Sequence, residues 1–405
     1  MSDTRETESA AASDHHRAHF LGSAKVVTGL TLLSRVLGLV RDMAILAIGA
    51  TRQTDVFWTA FTIPNLFRRL FGEGALSAAF VPVFTETDQR EGAQAGRAVF
   101  ANVLGWLATV LCGLWIVGSA AAAGWILWQR GNVENVLLGQ LILLVFPFMV
   151  TVCLLALGSA ALNCRGHFAY PAFAPVLLNI FLIAAVAVLH GMQLGDSWQG
   201  LFLLAIAVSI AGVVQLLGLM FLLRRRDLLA RPRLHPVGPE LKRIAALTLP
   251  MMVPLGALQF SALFERVYAL AMSGEGTRII FGFEIAKPLA EGTVSRLYAA
   301  NRLFQFPLGV LAISLATVVF PLLSRHAADD DMPGLRKTTN LALRLSLFLG
   351  IPAGMALILL ARPLVGVLFE HGEFTAGDAE QTAFILRMYC LGLWAVFCNH
   401  ILLRA

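Results

Sequence analysis

Residues 32–84 read LLSRVLGLVRDMAILAIGATRQTDVFWTAFTIPNLFRRLFGEGALSAAFVPVF. Most of this stretch is apolar enough to lie in a lipid bilayer. It nevertheless carries several charged side chains, among them Arg35, Arg41, Asp42, Asp55, Arg68, Arg69 and Glu73. Each such charge costs about 2.5–3.5 kcal/mol or more at the centre of a bilayer, so it normally faces protein or a water-filled cavity. The stretch therefore predicts a charged cavity inside a membrane protein.

The spacing of the first charges agrees with a single cavity. Arg35 and Asp42 are seven residues apart, so they share one face of a helix, with Gly38 between them. Arg41 immediately precedes Asp42 and lies about 100° from it round the same helix. These residues can therefore line the same space.

The second half of the stretch predicts an interrupted helix. Arg69 and Glu73 are four residues apart and share a face. Pro64, Gly72 and Gly74 break the helical pattern around them. Broken helices are tolerated at membrane depth where they line a cavity.

The composition places the whole chain in a membrane. Of its 405 residues, 58% are hydrophobic and 14% charged, and the mean hydropathy is +0.74, whereas a soluble domain is about 25% charged. The apolar segments are long and lack period-2 alternation, which favours an all-α polytopic membrane protein over a barrel. The net charge of +6 suits basic cytoplasmic loops, so we expect no nucleic-acid partner.

The chain contains ten apolar segments of membrane length. They lie at about 24–49, 56–85, 98–127, 136–162, 168–190, 199–223, 243–272, 294–323, 338–361 and 379–403. Residues 1–22 precede them and are polar without an apolar core, so they predict a disordered cytoplasmic tail and not a signal peptide.

Basic residues in the loops predict the orientation. The loop after the sixth segment, RRRDLLARPRLHPVGPELKR, is the most basic stretch of the chain and belongs in the cytoplasm. This places the N-terminus in the cytoplasm as well. The charged connection 273–296 then lies outside, where we expect an ordered loop or short helix, with a re-entrant segment as the alternative.

A weak internal repeat indicates two related halves. Three pairs of matching positions share one offset of 239 residues: Pro82/Pro321, Arg97/Arg336 and Arg165/Arg404. Duplicated six-helix halves are common in transporters. We therefore expect two pseudo-symmetric helical lobes: an N-terminal lobe at 23–225, a basic cytoplasmic linker at 226–242 and an incomplete C-terminal lobe at 243–405. On this interpretation the chain stops inside the second repeat, either as a fragment or as a natural truncation.

Several motifs carry a resemblance to a known family. They read SRVLGLVRD, TDVFWTAFTIPNLFRRLFGEGALSAAFVPVF, YPAFAPVLLNI, ANRLFQFPLGVLAISLATVVFPLLS and LFEHGEFTAGDA. Together they closely resemble the MurJ (MviN) family of bacterial lipid II flippases, in the multidrug/oligosaccharidyl-lipid/polysaccharide exporter superfamily. The resemblance runs from about residue 23 to the end of the chain.

The resemblance implies a V-shaped exporter fold of two six-helix lobes, completed in the family by further helices to about fourteen, of which about ten are present here. It implies export of undecaprenyl-pyrophosphate-linked peptidoglycan precursor from the inner to the outer leaflet of the bacterial cytoplasmic membrane. It also implies that the matching residues bind the head group: Arg35, Arg41, Asp55, Arg68, Arg69 and Arg302. The chain departs from the family in lacking the last helices, which contribute to the lipid groove and the proposed sodium site, and in its long segment 273–296.

Arginine suits a pyrophosphate cargo, because its planar fork stays charged and can bond phosphate oxygens in pairs. The five arginines outnumber the cavity acids Asp42, Asp55 and Glu73, which gives a net charge of +2. Because a pyrophosphate diester brings about two negative charges, the loaded cavity is expected to be near neutral. Asp42 and Glu73 are expected to hold the arginines when the cavity is empty.

Structural interpretations of the same residues stay open. Arg35 and Arg41 can be partners of Asp42 and Asp55, and Arg68 and Arg69 can extend to the inner surface. Asn163, Asn179 and Asn301 are expected to bond neighbouring helices, and Arg97 and Arg165 to anchor helix ends.

Three function classes are open to a membrane protein with such a cavity. A flippase for lipid II fits best; a flippase for another polyprenyl-linked oligosaccharide, or a cation-coupled drug exporter, is the alternative. An enzyme acting on polyprenyl phosphates is disfavoured, because the sequence shows no DDxxD-like cluster, nucleophile–base pair or Gly-rich phosphate loop.

We expect no cofactor or metal; a coupling ion or the membrane potential can drive the cycle. The bilayer is a partner, and cell-wall synthesis proteins are candidate partners.

Overall fold

The computed structural model describes residues 3–72, 74–195, 197–229, 231–234, 238–280 and 283–402. Within these ranges the chain is almost entirely helical. The helices are α1 (Asp3–Leu46), α2 (Arg52–Phe67), α3 (Ala75–Arg90), α4 (Ala93–Trp128), α5 (Val133–Val145), α6 (Pro147–Cys164), α7 (Ala169–Gly191), α8 (Trp198–Arg225), α9 (Pro239–Met272), α10 (Thr293–Pro307), α11 (Ile313–Ala328), α12 (Met332–Phe369), α13 (Ala376–Leu391) and α14 (Leu393–Leu402). Two π-helical segments, Arg68–Gly72 and Leu308–Ala312, follow α2 and α10.

Seven helical stretches of the described chain are long and apolar enough to cross a membrane, or up to eight if the bent pair α13–α14 forms one span. The predicted segments 24–49 and 56–85 are not among them. The first carries four charged residues within α1, namely Lys25, Arg35, Arg41 and Asp42, and the second is divided into α2, a π-helical segment and α3. The count of ten spans therefore stays a prediction, while the predicted interruption near Gly72 is confirmed.

The structure differs from the sequence prediction at the N-terminus. Helix α1 begins at Asp3, so residues 3–22, expected to be a disordered tail, are helical. This segment contains no proline and several good helix formers, such as alanine, glutamate and arginine. The helix propensity of residues 3–22 therefore allows α1 to extend from its apolar part towards the N-terminus.

The chain forms two compact units. Unit 1 comprises residues 1–44 and 59–268, and unit 2 comprises 45–58 and 269–405. The sequence prediction instead placed the division at the linker 226–242. The segment 45–58 belongs with the second unit because its hydrogen bonds reach residues between 270 and 373.

Small residues let the helices of unit 1 approach closely. Gly218 of α8 faces Tyr170 of α7, whose hydroxyl donates to the backbone oxygen of Gln215 at 2.6 Å. Gln215 is 2% exposed and donates through Nε2 to the backbone oxygen of Ala174. Close approach at glycine and such interhelical bonds are how membrane helices associate without a hydrophobic driving force.

The helices of unit 2 pack around large buried side chains. Phe369 at the end of α12, Phe374 after it and Phe397 in α14 are each at most 1% exposed. Gly350 of α12 lies against Phe397 and the backbone of Trp394, so the two helices touch where a side chain is absent. The pairing of α12 with α13 and α14 thus forms the core of this unit.

The charged connection 273–296 contains a β-hairpin. Strands β1 (Thr277–Ile280) and β2 (Phe283–Ala286) are antiparallel, with Thr277 opposite Ala286 and Ile280 opposite Phe283. The sequence predicted an ordered loop or a short helix for this connection and did not predict the strands. The strands are rich in β-branched and aromatic residues, which favour extended backbone.

The Asp331 side chain caps the start of α12, and this cap makes the stability of the fold depend on pH. Asp331 accepts the Gly334 backbone N–H through Oδ1 at 2.9 Å, and its Oδ2 lies 2.8 Å from His326 Nδ1. The Gly334 bond, followed by the interaction with His326, holds the pKa of Asp331 below its ordinary value of 3.8. A lowered pKa means that the carboxylate stabilises the fold above its unfolded pKa, and that this stabilisation is lost as the pH falls through the folded pKa.

We therefore expect Asp331→Ala to lower the thermal unfolding midpoint at about pH 7, and the difference from the unchanged chain to shrink toward about pH 3. The unfolding midpoints of the variant and of the unchanged chain are measured at each pH by intrinsic fluorescence of the detergent-solubilised protein. The exposed Asp329→Ala is the matched control and should show little difference at either pH. A pH-independent difference at position 331 would contradict the prediction.

Candidate functional site

Arg41 lies in a polar network inside unit 1. Its Nε and Nη2 donate to Asp42 Oδ1 at 3.0 and 2.5 Å, and its Nη1 donates to Asn179 Oδ1 at 2.9 Å. Asn179, in α7, donates in turn to the backbone oxygen of Ser34 at 3.0 Å. Asp42 is fully buried, while the Arg41 side chain remains 11% exposed. The network fixes the direction of the guanidinium and leaves part of it accessible.

The network tests the prediction made for Asn179. The sequence predicted that this side chain bonds neighbouring helices, and its bonds from α7 to Ser34 and Arg41 of α1 confirm this. The structural pairing of Arg41 with Asp42 is also confirmed. That pairing is compatible with a further role in cargo binding, because an ion pair can exchange one partner for an anionic ligand.

The other arginines of unit 1 have different environments. Arg35, in α1, is exposed. Arg68 is partly buried at the start of the first π-helical segment and donates through Nε to Asn65 Oδ1 at 3.2 Å, and Arg69 beside it is exposed. The predicted supporting acid Glu73 lies outside the described residues. A π-helical turn reorients the following side chains, and such turns recur at functional sites.

Asp55 and Arg302 belong to unit 2. Asp55, in the first turn of α2, is fully buried, and its Oδ1 accepts the backbone N–H and the hydroxyl of Ser295, each at 2.8 Å. Arg302 lies further along α10 and is partly buried. That the arginines of both units converge on one cavity stays a prediction.

Sequence reasoning missed several polar residues of unit 2. Ser295 and Arg296 begin α10; Arg296 forms an ion pair with Asp378 of α13, with N–O distances of 2.8 and 3.0 Å. Arg52 donates through Nη1 to Ser273 Oγ at 2.5 Å. No local spacing could identify the contacts of Arg296, Arg52 and Ser295, because the paired residues are 82 to 240 residues apart.

Two further arginines form contacts within unit 1. Arg165 forms an ion pair with Asp88 at 2.5 Å, with side chains 27% and 20% exposed, so it connects the ends of α6 and α3. Arg266 of α9 donates to the hydroxyl of Thr62 in α2. Among the described residues, no group of three or more His, Cys, Asp or Glu could hold a metal ion.

Long apolar helices, interrupted helices and arginines held in polar networks together define a multi-pass α-helical membrane transporter. Comparisons with known proteins identify the family to which this transporter belongs. The family model "Lipid II flippase MurJ" matches residues 45–405. The chain is 36% identical over 386 residues to the probable lipid II flippase MurJ of Vibrio cholerae, covering 92% of this chain and 70% of that protein. It is 34% identical over 390 residues to the lipid II flippase MurJ of Burkholderia cenocepacia, covering 93% and 71%. The chain belongs to the lipid II flippase MurJ family.

Two solved structures have the same fold. The lipid II flippase MurJ in an inward closed conformation matches with a TM-score of 0.69 at 23% identity, covering 93% of this chain and 74% of that one. An inward-facing multidrug resistance MATE family transporter matches with a TM-score of 0.68 at 13% identity, covering 94% and 85%. At these identities the likeness concerns the fold alone. The family places the chain among multi-pass inner-membrane transporters and not among enzymes.

Proposed function

We propose that this chain is a flippase that moves lipid II, the undecaprenyl-pyrophosphate-linked peptidoglycan precursor, from the inner to the outer leaflet by alternating access. The observation that carries the proposal is the match of residues 45–405 to the lipid II flippase family. The matched residues include Arg68, Arg69 and Arg302. A flippase leaves the covalent bonds of its cargo unchanged, so the proposal requires no cofactor; a coupling ion or the membrane potential would supply the energy.

The arginines are proposed to grip the pyrophosphate. Arg41 supports this role, because Asp42 and Asn179 already hold its fork in a fixed direction. A phosphate oxygen can replace one of these acceptors at little cost in side-chain entropy, since the guanidinium is ordered beforehand. Asp42 would recapture the guanidinium once the cargo leaves, which makes the pair a two-state element. Arg35, Arg68, Arg69 and Arg302 would supply the remaining positive charge.

We also propose that the chain is built from two related lobes with the N-terminus in the cytoplasm. The order of elements supports the lobes: α2, a π-helical segment, α3 and the long α4 are followed by α5 and α6, which are separated only by Phe146. The same order recurs as α10, a π-helical segment, α11, the long α12 and the broken pair α13–α14. The basic residues 224–243 support the orientation.

The proposal is tested in cells depleted of their own flippase. Expression of this chain is expected to restore accessibility of lipid II on the outer leaflet, measured by an external reagent that modifies the exposed head group. Replacing Arg68 and Arg69 together by alanine is expected to abolish the restoration. The matched control is Arg224→Ala, which removes an exposed arginine at the end of α8 and should have no effect.

The amount of folded protein in the membrane is measured alongside. If the unchanged chain is present at a normal level and lipid II stays inaccessible, the proposed function is wrong. If the paired arginine variant restores accessibility fully, the function stands and these two arginines are withdrawn from the site.

A further inference from the structure

Helix α10 begins without a cap of its own. The first amide groups of any helix have no partner within it and need an acceptor from elsewhere. The residue preceding α10 is Gly292, which has a left-handed backbone with φ of 82° and no side chain that could accept these bonds. The helix begins next to the backbone of Ala50, since a Cβ on Gly292 would lie 1.9 Å from the Ala50 oxygen. The acceptor therefore has to come from another segment.

Asp55 supplies that acceptor from α2. Its Oδ1 receives the Ser295 backbone N–H, the third of α10, and the Ser295 hydroxyl. The Ser295 hydroxyl also lies 3.0 Å from Thr54 Oγ1, and the Thr54 hydroxyl donates to the backbone oxygen of Gly49. Asp55, Thr54 and Ser295 are all 0% exposed. A carboxylate that accepts the N–H of the third residue is the geometry of a helix N-cap, here provided across a gap of 240 residues.

The charge of the carboxylate suits this position. The N-terminus of a helix carries a partial positive charge, which stabilises an anion placed there. The next residue of α10, Arg296, is held by Asp378 of α13. The first turn of α10 is therefore fixed by two carboxylates of unit 2, Asp55 of α2 and Asp378 of α13.

The segment that carries Asp55 is itself held firmly within unit 2. Arg52, one turn earlier, donates to the backbone oxygen of Leu270 at 2.6 Å and to Ser273. Trp58, one turn later, stacks on Tyr298 of α10 with ring centroids 3.7 Å apart. Both contacts position α2 against its neighbours on either side of the carboxylate.

Arg302 lies seven residues after Ser295, two turns along the same face of α10. We propose that Asp55 is a positioning residue: it caps α10 from α2, fixes the start of the helix that carries Arg302, and does not bind cargo. This inference rests on the proposed function in so far as Arg302 grips lipid II. It assigns the same positioning role to Ser295, the partner of Asp55.

Conservative substitutions separate capping from charge. Asparagine caps helices about as well as aspartate, whereas alanine cannot accept the bond. In cells depleted of their own flippase, we expect Asp55→Asn to keep lipid II accessibility per folded protein within about twofold of the unchanged chain. We expect Asp55→Ala to reduce it at least about fivefold. Ser295→Ala keeps the backbone N–H and is expected to lie between them. The exposed Asp329→Ala is the control.

Dividing by the amount of folded protein isolates positioning from stability, because a purely structural role would lower the amount of protein and not the transport of each molecule. Asp55→Asn as defective as Asp55→Ala, in protein that folds normally, would show that the negative charge is needed and would overturn the proposal. Unchanged transport in Asp55→Ala would overturn it too.

A second measurement does not depend on transport. Amide hydrogen exchange over residues 293–297 of the purified full chain is expected to be at least about fivefold faster in Asp55→Ala than in the unchanged chain and in Asp55→Asn. Equal exchange in all three would refute the cap. If the exchange changes as expected while the unchanged chain fails to expose lipid II, the proposed function fails and the cap stands.

Discussion

Replacing Arg41 by alanine and Asp42 by asparagine together is expected to give a protein that folds and inserts but does not move lipid II. Arg41→Ala alone removes the partner at 2.5 Å from a fully buried carboxylate. Breaking a buried ion pair in this way costs about 3–5 kcal/mol. Neutralising Asp42 as well relieves that cost. Any defect that then persists belongs to the missing guanidinium and not to the stranded acid.

The measurements are lipid II accessibility on the outer leaflet and the amount of folded protein in the membrane. Arg41→Lys is an informative companion, because it keeps the charge but loses the planar fork that donates to both Asp42 and Asn179. We expect it to retain folding and to lose most of the transport.

The chain offers a matched control in another ion pair of unit 1. Arg165 and Asp88 are also 2.5 Å apart and partly buried, but Arg165 is not among the proposed cargo ligands. Arg165→Ala with Asp88→Asn should therefore fold and transport. Normal transport by the Arg41/Asp42 double variant would instead remove Arg41 from the site and leave it a structural partner only.

Gly292→Ala is expected to abolish folding of unit 2. The position has φ of 82°, a left-handed conformation that costs an L-residue about 1–2 kcal/mol. The added Cβ would also lie 1.9 Å from the backbone oxygen of Ala50. Such overpacking adds typically about 1–3 kcal/mol or more, and a backbone atom cannot turn away as a side chain can. The sum, about 2–5 kcal/mol or more, reaches the lower end of the stability of folded domains, about 5–15 kcal/mol.

Size-exclusion chromatography of the solubilised protein measures the loss as a fall in the monodisperse fraction. Gly276→Ala is the matched control, because Gly276 has a similar φ of 91° but nothing within 4 Å of its Cβ position. It should cost only the conformational term. Equal behaviour of the two variants would mean that α10 can move away from Ala50 without loss of the fold.

Local sequence determined the features that depend on neighbouring residues. Apolar runs of membrane length predicted the long helices α4, α7, α8, α9 and α12, because a helix satisfies its own backbone in lipid whatever it packs against. The glycines near residue 72 predicted the interruption seen as a π-helical segment after α2. The residue motifs identified the family that the match over 45–405 shows. The β-hairpin at 277–286 was missed, since short charged segments carry little periodicity.

The tertiary structure decided which charged groups meet. The sequence placed Asp55 beside a set of arginines and offered it as a cargo ligand, whereas the fold buries it against the first turn of α10. The fold also brings Arg41 to Asn179 and Arg165 to Asp88, which are 138 and 77 residues apart in the sequence. Helical periodicity relates residues three, four or seven apart and carries no information about which helices become neighbours. Those contacts depend on how whole helices pack, and so only the folded chain could show that Asp55 meets Ser295.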